Sequence, residues 1–167
     1  MSTGAWEALP RGYAPHMQLK ILVGTVTGNA MSVAQAIQLD CTDLVPNIAV
    51  DPMDGLDIGV FEQGALFLVC TSTTGAGDVP DNAQALYASL LNEPRYLGAV
   101  RYGLIALGDA GAHAATFAEG GLKFDAALQD LGARRIGEVF THDASGEEDA
   151  EAAGIAWCRS WLALALA

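Results

Sequence analysis

The sequence predicts an α/β fold, a three-layer sandwich built on a five-stranded parallel sheet. Strand-like apolar runs alternate with helix-like segments about five times along the chain. These runs are apolar throughout instead of alternating with polar residues, which is typical of strands covered on both faces. Polar, glycine-rich loops directly follow the three strongest runs. Because ligands bind beyond the carboxyl ends of strands in such sheets, these loops predict a site at one edge.

Short apolar runs of strand length predict the five strands. They are Lys20–Gly24, Ile48–Val50, Ala65–Cys70, Arg101–Leu107 and Arg135–Thr141.

Helical spacing of apolar residues predicts four helices between and after these strands. The first two cover Met31–Leu39 and Ala83–Leu91. The third has one apolar face and a C-terminal glycine cap at Gly132; the residues of that face are Phe117, Phe124, Leu128 and Leu131. Ser145 and Glu148 have capping-box spacing, which predicts that the last helix opens there and runs to about Leu166.

The length of 167 residues is that of one domain. We expect residues 1–18 to form an irregular arm and residues 19–167 to form the domain. Hydrophobic residues make up 51% and charged residues 17% of the chain, which excludes intrinsic disorder. The net charge of −12 argues against nucleic-acid binding; it suits a basic protein partner and equally serves to keep a protein soluble.

Neither a secretory signal nor a run long enough to cross a membrane is visible, so we expect a cytoplasmic protein. The three cysteines, Cys41, Cys70 and Cys158, lie far apart in the sequence. Their number and spacing argue against a disulfide framework and a zinc site. We expect them to be buried thiols.

The first loop, Thr25–Ala30, offers hydroxyl and amide groups immediately before a helix. Free backbone N–H groups at a helix N-terminus bind anions, so a phosphate is a suitable ligand. The loop contains neither Lys nor Arg and lacks the GK[ST] ending of a Walker A loop. Taken alone it is weak evidence, because Thr and Gly are also ordinary capping residues at strand-to-helix turns.

Three loops together give a more specific pattern. Residues 25–30 (TVTGNA) resemble the [ST]-x-[ST]-G-x-[ST] phosphate loop of flavodoxins. Residues 71–82 (TSTTGAGDVPDN), with their GxGDxPDN stretch, resemble the second flavin loop, and Leu107-Gly108-Asp109 resembles the start of the third. From about Leu19 to its C-terminus the chain resembles the flavodoxin-like family. Within it, the small MioC-type proteins and the FMN domains of diflavin reductases are most similar.

This resemblance implies the strand order 2-1-3-4-5 and an FMN-dependent electron carrier, without catalytic side chains or a metal. It also implies that the flavin ring lies against Ser72–Asp78 and Gly108–His113, with a peptide near Gly75–Gly77 that rearranges on reduction. The residues expected to bind the cofactor are Thr25, Val26, Thr27, Gly28, Asn29, Ala30, Ser72, Thr73, Thr74, Gly75, Ala76, Gly77, Asp78, Gly108, Asp109 and His113.

We expect the partner to be a basic redox protein, and neither a nucleic acid nor a membrane. We also expect the protein to be a monomer or a weak dimer. Stand-alone flavin-dependent quinone or nitro reduction is a minor enzyme alternative. A response-regulator receiver shares the topology but needs an acidic pair after the first strand, where this chain has Gly24-Thr25.

The chain departs from the family pattern at three places. Ala30 replaces the last hydroxyl of the phosphate loop, which removes a hydrogen bond worth about 1.5–3 kcal/mol. Thr74 stands where diflavin reductases carry a tyrosine. The third loop lacks its aromatic residue, and His113 is its only ring; stacking aromatics contribute about 0.5–1.5 kcal/mol each.

These departures leave a second hypothesis open. In it the fold is kept, but the loops bind another phosphorylated small molecule or nothing, and the acidic surface recruits a protein. Some residues also have ordinary structural explanations. Asp78, Asp81 and Asn82 suit helix caps, and Trp157 and Trp161, one helical turn apart, suit core or interface anchors.

Overall fold

The computed structural model describes residues 17–25, 28–73, 77–109, 111 and 117–167. Most of the predicted arm, residues 1–16, lies outside this part of the chain, so the division at residue 18 stays a prediction. The strands are β1 (Gln18–Gly24), β2 (Asn47–Pro52), β3 (Leu66–Thr71), β4 (Arg101–Gly108), β5 (Arg134–Arg135) and β6 (Phe140–Asp143). The helices are α1 (Asn29–Asp40), α2 (Gln84–Asn92), α3 (Glu119–Asp130) and α4 (Ala150–Ala165).

The strands form one parallel sheet with the order β2-β1-β3-β4-β5, and β6 also pairs with β4. This confirms the predicted fold class and strand order. β1 is hydrogen-bonded on both sides, and the side chains of Ile21, Leu22 and Val23 are completely buried. Uniform burial is the physical reason for the uniformly apolar strand sequences.

The predicted last strand, Arg135–Thr141, is wrong as a single element. It is divided into β5 and β6, because Gly137 has a φ of +70° and turns the chain between them. The indole Nε1 of Trp161 donates a 2.9 Å hydrogen bond to Ile136 O in this interruption. The carbonyl of Ile136, which lies between the two strands, therefore keeps a hydrogen-bond partner.

The two faces of the sheet carry separate cores. On one face α1 and α4 pack against each other and cover side chains such as Ile21, Val23 and Ile105. On the other face α2 and α3 cover side chains such as Leu22 and Val69. Successive strand residues point to opposite faces, so both helix layers are held by the same strands.

Of the two tryptophans of α4, Trp161 is a core residue and Trp157 is partly buried against the same core. Trp161 is 2% exposed, and its ring stacks on Trp157 with ring centroids 5.6 Å apart. Phe140 of β6 continues the stack at 5.8 Å from Trp157. The Trp161 ring lies directly over Gly103 of β4, where a Cβ atom would overlap the indole. Only glycine lets α4 approach the sheet this closely.

The helix ends differ in part from the prediction. Gly132 (φ +95°) ends α3 as expected, with Gly132 N bonded to Gln129 O and Ala133 N bonded to Leu128 O. This is the Schellman arrangement. Phe117, however, lies outside α3, which begins at Glu119.

The predicted capping box at Ser145 is wrong. Asp149 is the N-cap of α4, and its Oδ2 accepts from Ala152 N at 3.0 Å. Ser145 instead donates from its N and Oγ to Asp143 Oδ1. An aspartate in an Asx-type turn competes for the serine before the helix begins.

All three cysteines are buried free thiols, as expected. Burial raises the pKa of the Cys70 thiol to about 12. Cys41 and Cys158 share a side-chain hydrogen bond that lowers the pKa of Cys41 and raises that of Cys158. Among the described residues, no helix is both long and apolar enough to cross a membrane.

We predict that Gly103→Ala lowers the free energy of unfolding by about 1–3 kcal/mol, the usual range for overpacking a core. The added methyl group must displace the Trp161 ring from β4. Urea denaturation followed by tryptophan fluorescence measures the change. Gly64→Ala is the matched control, because a Cβ there meets nothing within 4 Å. Equal stabilities of the two variants would contradict the packing argument.

We also predict that the folded protein reacts slowly with a disulfide reagent such as Ellman's reagent near neutral pH. The reactive species is the thiolate. Burial blocks the access of the reagent to Cys70 and raises the pKa of its thiol, so little thiolate forms near neutral pH. Unfolding in urea should release all three thiols together. Stoichiometric reaction of one thiol under native conditions would contradict this prediction and would point first to Cys41, whose pKa is lowered.

Candidate functional site

The carboxyl ends of β1, β3 and β4 lie side by side at one edge of the sheet. Gly24 pairs with Thr71, and Thr71 pairs with Ala106. Ser72 N donates to Gly24 O at 2.9 Å, so the first and second loops leave the sheet next to each other. The first and second loops, which were predicted to share a ligand, therefore begin at the same edge of the sheet.

The described part of the first loop prepares the N-terminus of α1. Gly28 is the N-cap residue with a φ of +90°, and its N–H donates to Thr25 Oγ1 at 2.9 Å. A glycine cap has no side chain to occupy the first N–H groups of the helix, and Ser32 N makes the first helical bond, to Gly28 O. No side chain of the N-cap residue occupies these N–H groups, and N–H groups at a helix N-terminus favour an anion together with the helix dipole.

The last two positions of this loop face in different directions. Both residues begin α1: Asn29 is exposed, whereas Ala30 is fully buried in the core. The Sγ of Cys70 on β3 donates to Ala30 O at 3.5 Å. The residue that replaces the family's last hydroxyl therefore packs against the sheet.

The second loop is anchored to α3 on both flanks. Thr73 Oγ1 accepts from Gly120 N at 3.0 Å, and Asp78 Oδ1 lies 3.2 Å from Lys123 Nζ. A Cβ at Gly120 would lie 2.7 Å from Ser72 O, so the start of α3 fits closely against this loop. Thr73 and Asp78 thus hold the loop in place, and contact of either residue with a cofactor stays a prediction.

The start of the third loop lies beneath a phenylalanine. A Cβ at Gly108 would lie 2.9 Å from Cδ2 of Phe117 and 2.7 Å from Ala118 N. Ala144 N donates to Gly108 O at 2.8 Å, which connects this point to the end of β6. Phe117, which the apolar spacing assigned to the helix, is therefore an aromatic ring at the end of β4.

Six of the predicted cofactor-binding residues lie outside the described residues, so nothing is concluded about their positions. They are Val26, Thr27, Thr74, Gly75, Ala76 and His113.

Asn82 is the site residue that sequence reasoning missed. It does not cap α2, because the N-cap residue of that helix is Ala83 and no side-chain cap hydrogen bond is made there. Its Oδ1 accepts from Thr25 N at 2.9 Å, and its Nδ2 donates to Val23 O and to Asp54 Oδ2, both at 3.2 Å. The PDN end of the second loop suggested capping, and only the fold brings it next to β1.

Charged side chains lie at both ends of the sheet. Asp54 follows β2, Asp78 lies in the second loop, Asp109 follows β4 and Asp143 ends β6. In contrast, three arginines lie at the amino ends of β4 and β5; they are Arg101, Arg134 and Arg135. Carboxylates accompany these arginines, since Asp125 pairs with Arg135. Acidic side chains therefore lie at both ends, including the edge that carries the candidate site.

The neighbouring residues His142 and Asp143 do not form a catalytic pair. His142 Nε2 lies 2.9 Å from Glu148 O, and Asp143 accepts from Ser145. Over the described ranges, no cluster of His, Cys, Asp or Glu has the arrangement of a metal site.

Comparisons with known proteins agree with this geometry. The flavodoxin family profile matches residues 21–157. Flavodoxin YqcA of Pectobacterium carotovorum is 40% identical, over 88% of this chain and 96% of its own length. Protein MioC of Escherichia coli O157:H7 is 27% identical, over 87% of this chain and 97% of its own.

Solved structures show the same relationship. A flavodoxin from Pseudomonas aeruginosa with one cysteine substituted has a TM-score of 0.74 and 29% identity, covering 89% of this chain and 99% of that one. The sheet order, the edge at which the loops begin and these matches lead to one conclusion. The chain belongs to the flavodoxin family, whose members bind FMN and transfer electrons.

Proposed function

We propose that this protein is an electron carrier that holds FMN across its three loops and exchanges electrons with basic redox proteins. One observation supports this most directly: the ends of β1 and β3 and the N-terminus of α1, with its glycine N-cap, meet at a single edge. An edge of this kind suits a flat ligand with a phosphate group at one end.

The phosphate end of FMN fits the first loop. Among the described residues, a Cβ at Gly28 would meet no atom within 4 Å, which leaves room for a ligand in front of the helix. We assign phosphate binding to the backbone N–H groups at the start of α1 and to the hydroxyls of Thr25 and Thr27. Binding there needs no Lys or Arg, because N–H groups and the helix dipole supply the positive potential.

The ring end is assigned to the second and third loops, at Ser72–Asp78 and Gly108–His113. FMN supplies the redox chemistry when it is bound. The protein's task is to position the cofactor and to set its electrostatic surroundings, so no side chain has to act as acid, base or nucleophile.

The charge distribution supports a basic partner. The edge that holds the loops carries Asp54, Asp78 and Asp143. With a net charge of −12, the protein attracts a basic partner, and these aspartates suit docking of that partner beside the cofactor. The expectation of a cytoplasmic location stays a prediction.

An absorption spectrum of the purified protein, repeated after FMN is added, tests the proposal. Flavin bands in the purified protein, or stoichiometric quenching of added FMN fluorescence, would support an FMN carrier. Failure to bind FMN under both conditions would leave the alternative of a flavodoxin-fold module that binds another phosphorylated molecule or a protein.

We predict that Gly28→Ala weakens FMN binding. The left-handed backbone at φ +90° costs a residue with a Cβ about 1–2 kcal/mol, although the space around the new methyl group is open. If the loop relaxes to avoid this strain, the FMN dissociation constant rises about tenfold. Fluorescence titration measures the change, with Gly64→Ala as the control. Unchanged affinity would show that the phosphate does not depend on this conformation.

We also predict that the reduction potential of bound FMN is lower than that of free FMN. Aspartates at the cofactor edge disfavour the anionic reduced form, and added salt should screen part of this effect. Potentiometry at low and high ionic strength measures both quantities. A potential at or above that of free FMN would contradict the electrostatic argument.

A further inference from the structure

Asn82 makes three hydrogen bonds to parts of the chain that are far apart in sequence. Its Oδ1 accepts from Thr25 N at 2.9 Å, while its Nδ2 donates to Val23 O and Asp54 Oδ2 at 3.2 Å each. The side chain therefore connects the end of the second loop with the end of β1 and with the turn after β2. A residue that only capped α2 would make none of these bonds.

The backbone explains why an amide group is needed at this position. β1 leaves the sheet at Gly24, so Thr25 N has no strand partner in the ladders with β2 and β3. A partly buried N–H without a partner is costly, and the Asn82 oxygen provides the acceptor. The two N–H groups of the same amide serve an acceptor on β1 and one beyond β2.

Through Thr25 these bonds reach the helix N-terminus. Thr25 Oγ1 accepts from Gly28 N at 2.9 Å, and Gly28 is the N-cap of α1. A continuous series of hydrogen bonds thus runs from Asp54 through Asn82 and Thr25 to Gly28. It sets the direction of the residues that flank the first loop.

We propose that Asn82 is a positioning residue for the phosphate end of the flavin site. It touches no part of the cofactor but holds Thr25 and Gly28 in the conformation that binds phosphate. It also connects the phosphate loop to the second flavin loop. This inference rests on the proposed function, because it assigns the first loop to the phosphate of FMN.

Asn82→Asp is the most informative substitution. The carboxylate keeps an acceptor for Thr25 N but loses both donors, and it places a second negative charge beside Asp54. We expect the dissociation constant of FMN to rise about tenfold or more. Riboflavin, which lacks the phosphate, should change by less than about threefold. A general loss of structure would weaken both flavins alike, so the preference for FMN over riboflavin is the decisive quantity.

A second substitution provides the rescue. In the double variant Asp54→Asn/Asn82→Asp, the new amide at position 54 donates to the new carboxylate at position 82. The pair is restored with donor and acceptor exchanged. Val23 O stays without its donor, so we expect the double variant to recover part of the lost preference for FMN. Asp54→Asn alone is the matched control, because the amide oxygen at position 54 still accepts from Asn82 Nδ2. The preference of this variant for FMN over riboflavin should stay near that of the wild type.

The experiment is fluorescence titration of the full chain and its variants with FMN and with riboflavin, after urea denaturation has established that each variant folds. Asn82→Ser, which removes the bridge without adding charge, replaces Asn82→Asp if the latter does not fold, and the same loss of preference is expected. A wild-type protein that binds neither flavin overturns the proposed function and this inference together. A wild-type protein that prefers FMN, with an Asn82 variant that keeps this preference, overturns only the role of Asn82.

Discussion

The close parallel pairing of β1 with β3 determines where the candidate site lies. β1 lies between β2 and β3, and it ends at Gly24 opposite Thr71. A Cβ at Gly24 would come within 2.5 Å of Thr71 Oγ1, so a larger residue would push the two strand ends apart. Because the strands are parallel and adjacent, their loops must begin at the same edge. The site is thus a consequence of backbone geometry before any ligand is considered.

The sequence was sufficient for the features that depend on local pattern. Apolar runs identified β1, β3 and β4, because strands covered on both faces allow few polar residues. Glycine-rich loops after β1, β3 and β4 identified the edge on which a ligand was to be expected. Gly132 identified the end of α3, since a positive φ strongly favours glycine. Each of these features is determined by residues close together in the chain.

Features that depend on distant partners could not be predicted in this way. The interruption of the last strand involves Trp161, 25 residues further along the chain. Asp149 caps α4 because Asp143 already binds Ser145, a competition that spacing alone does not reveal. Asn82 resembled a cap until the fold placed it 2.9 Å from Thr25 N, 57 residues away in sequence. Local motifs compete with tertiary contacts, and at these positions the tertiary contacts were stronger.

The divided last strand also affects how this sheet meets its surroundings. An exposed, continuous edge strand offers a row of unpaired N–H and C=O groups to which another chain can add. Here Gly137 turns the chain between β5, of two residues, and β6, of four residues. Between them the Trp161 indole donates a hydrogen bond to the Ile136 carbonyl. The outer border is therefore too short and uneven to serve as a template for strand addition. The residue that anchors α4 in the core thus also helps to protect this border of the sheet against edge-to-edge aggregation.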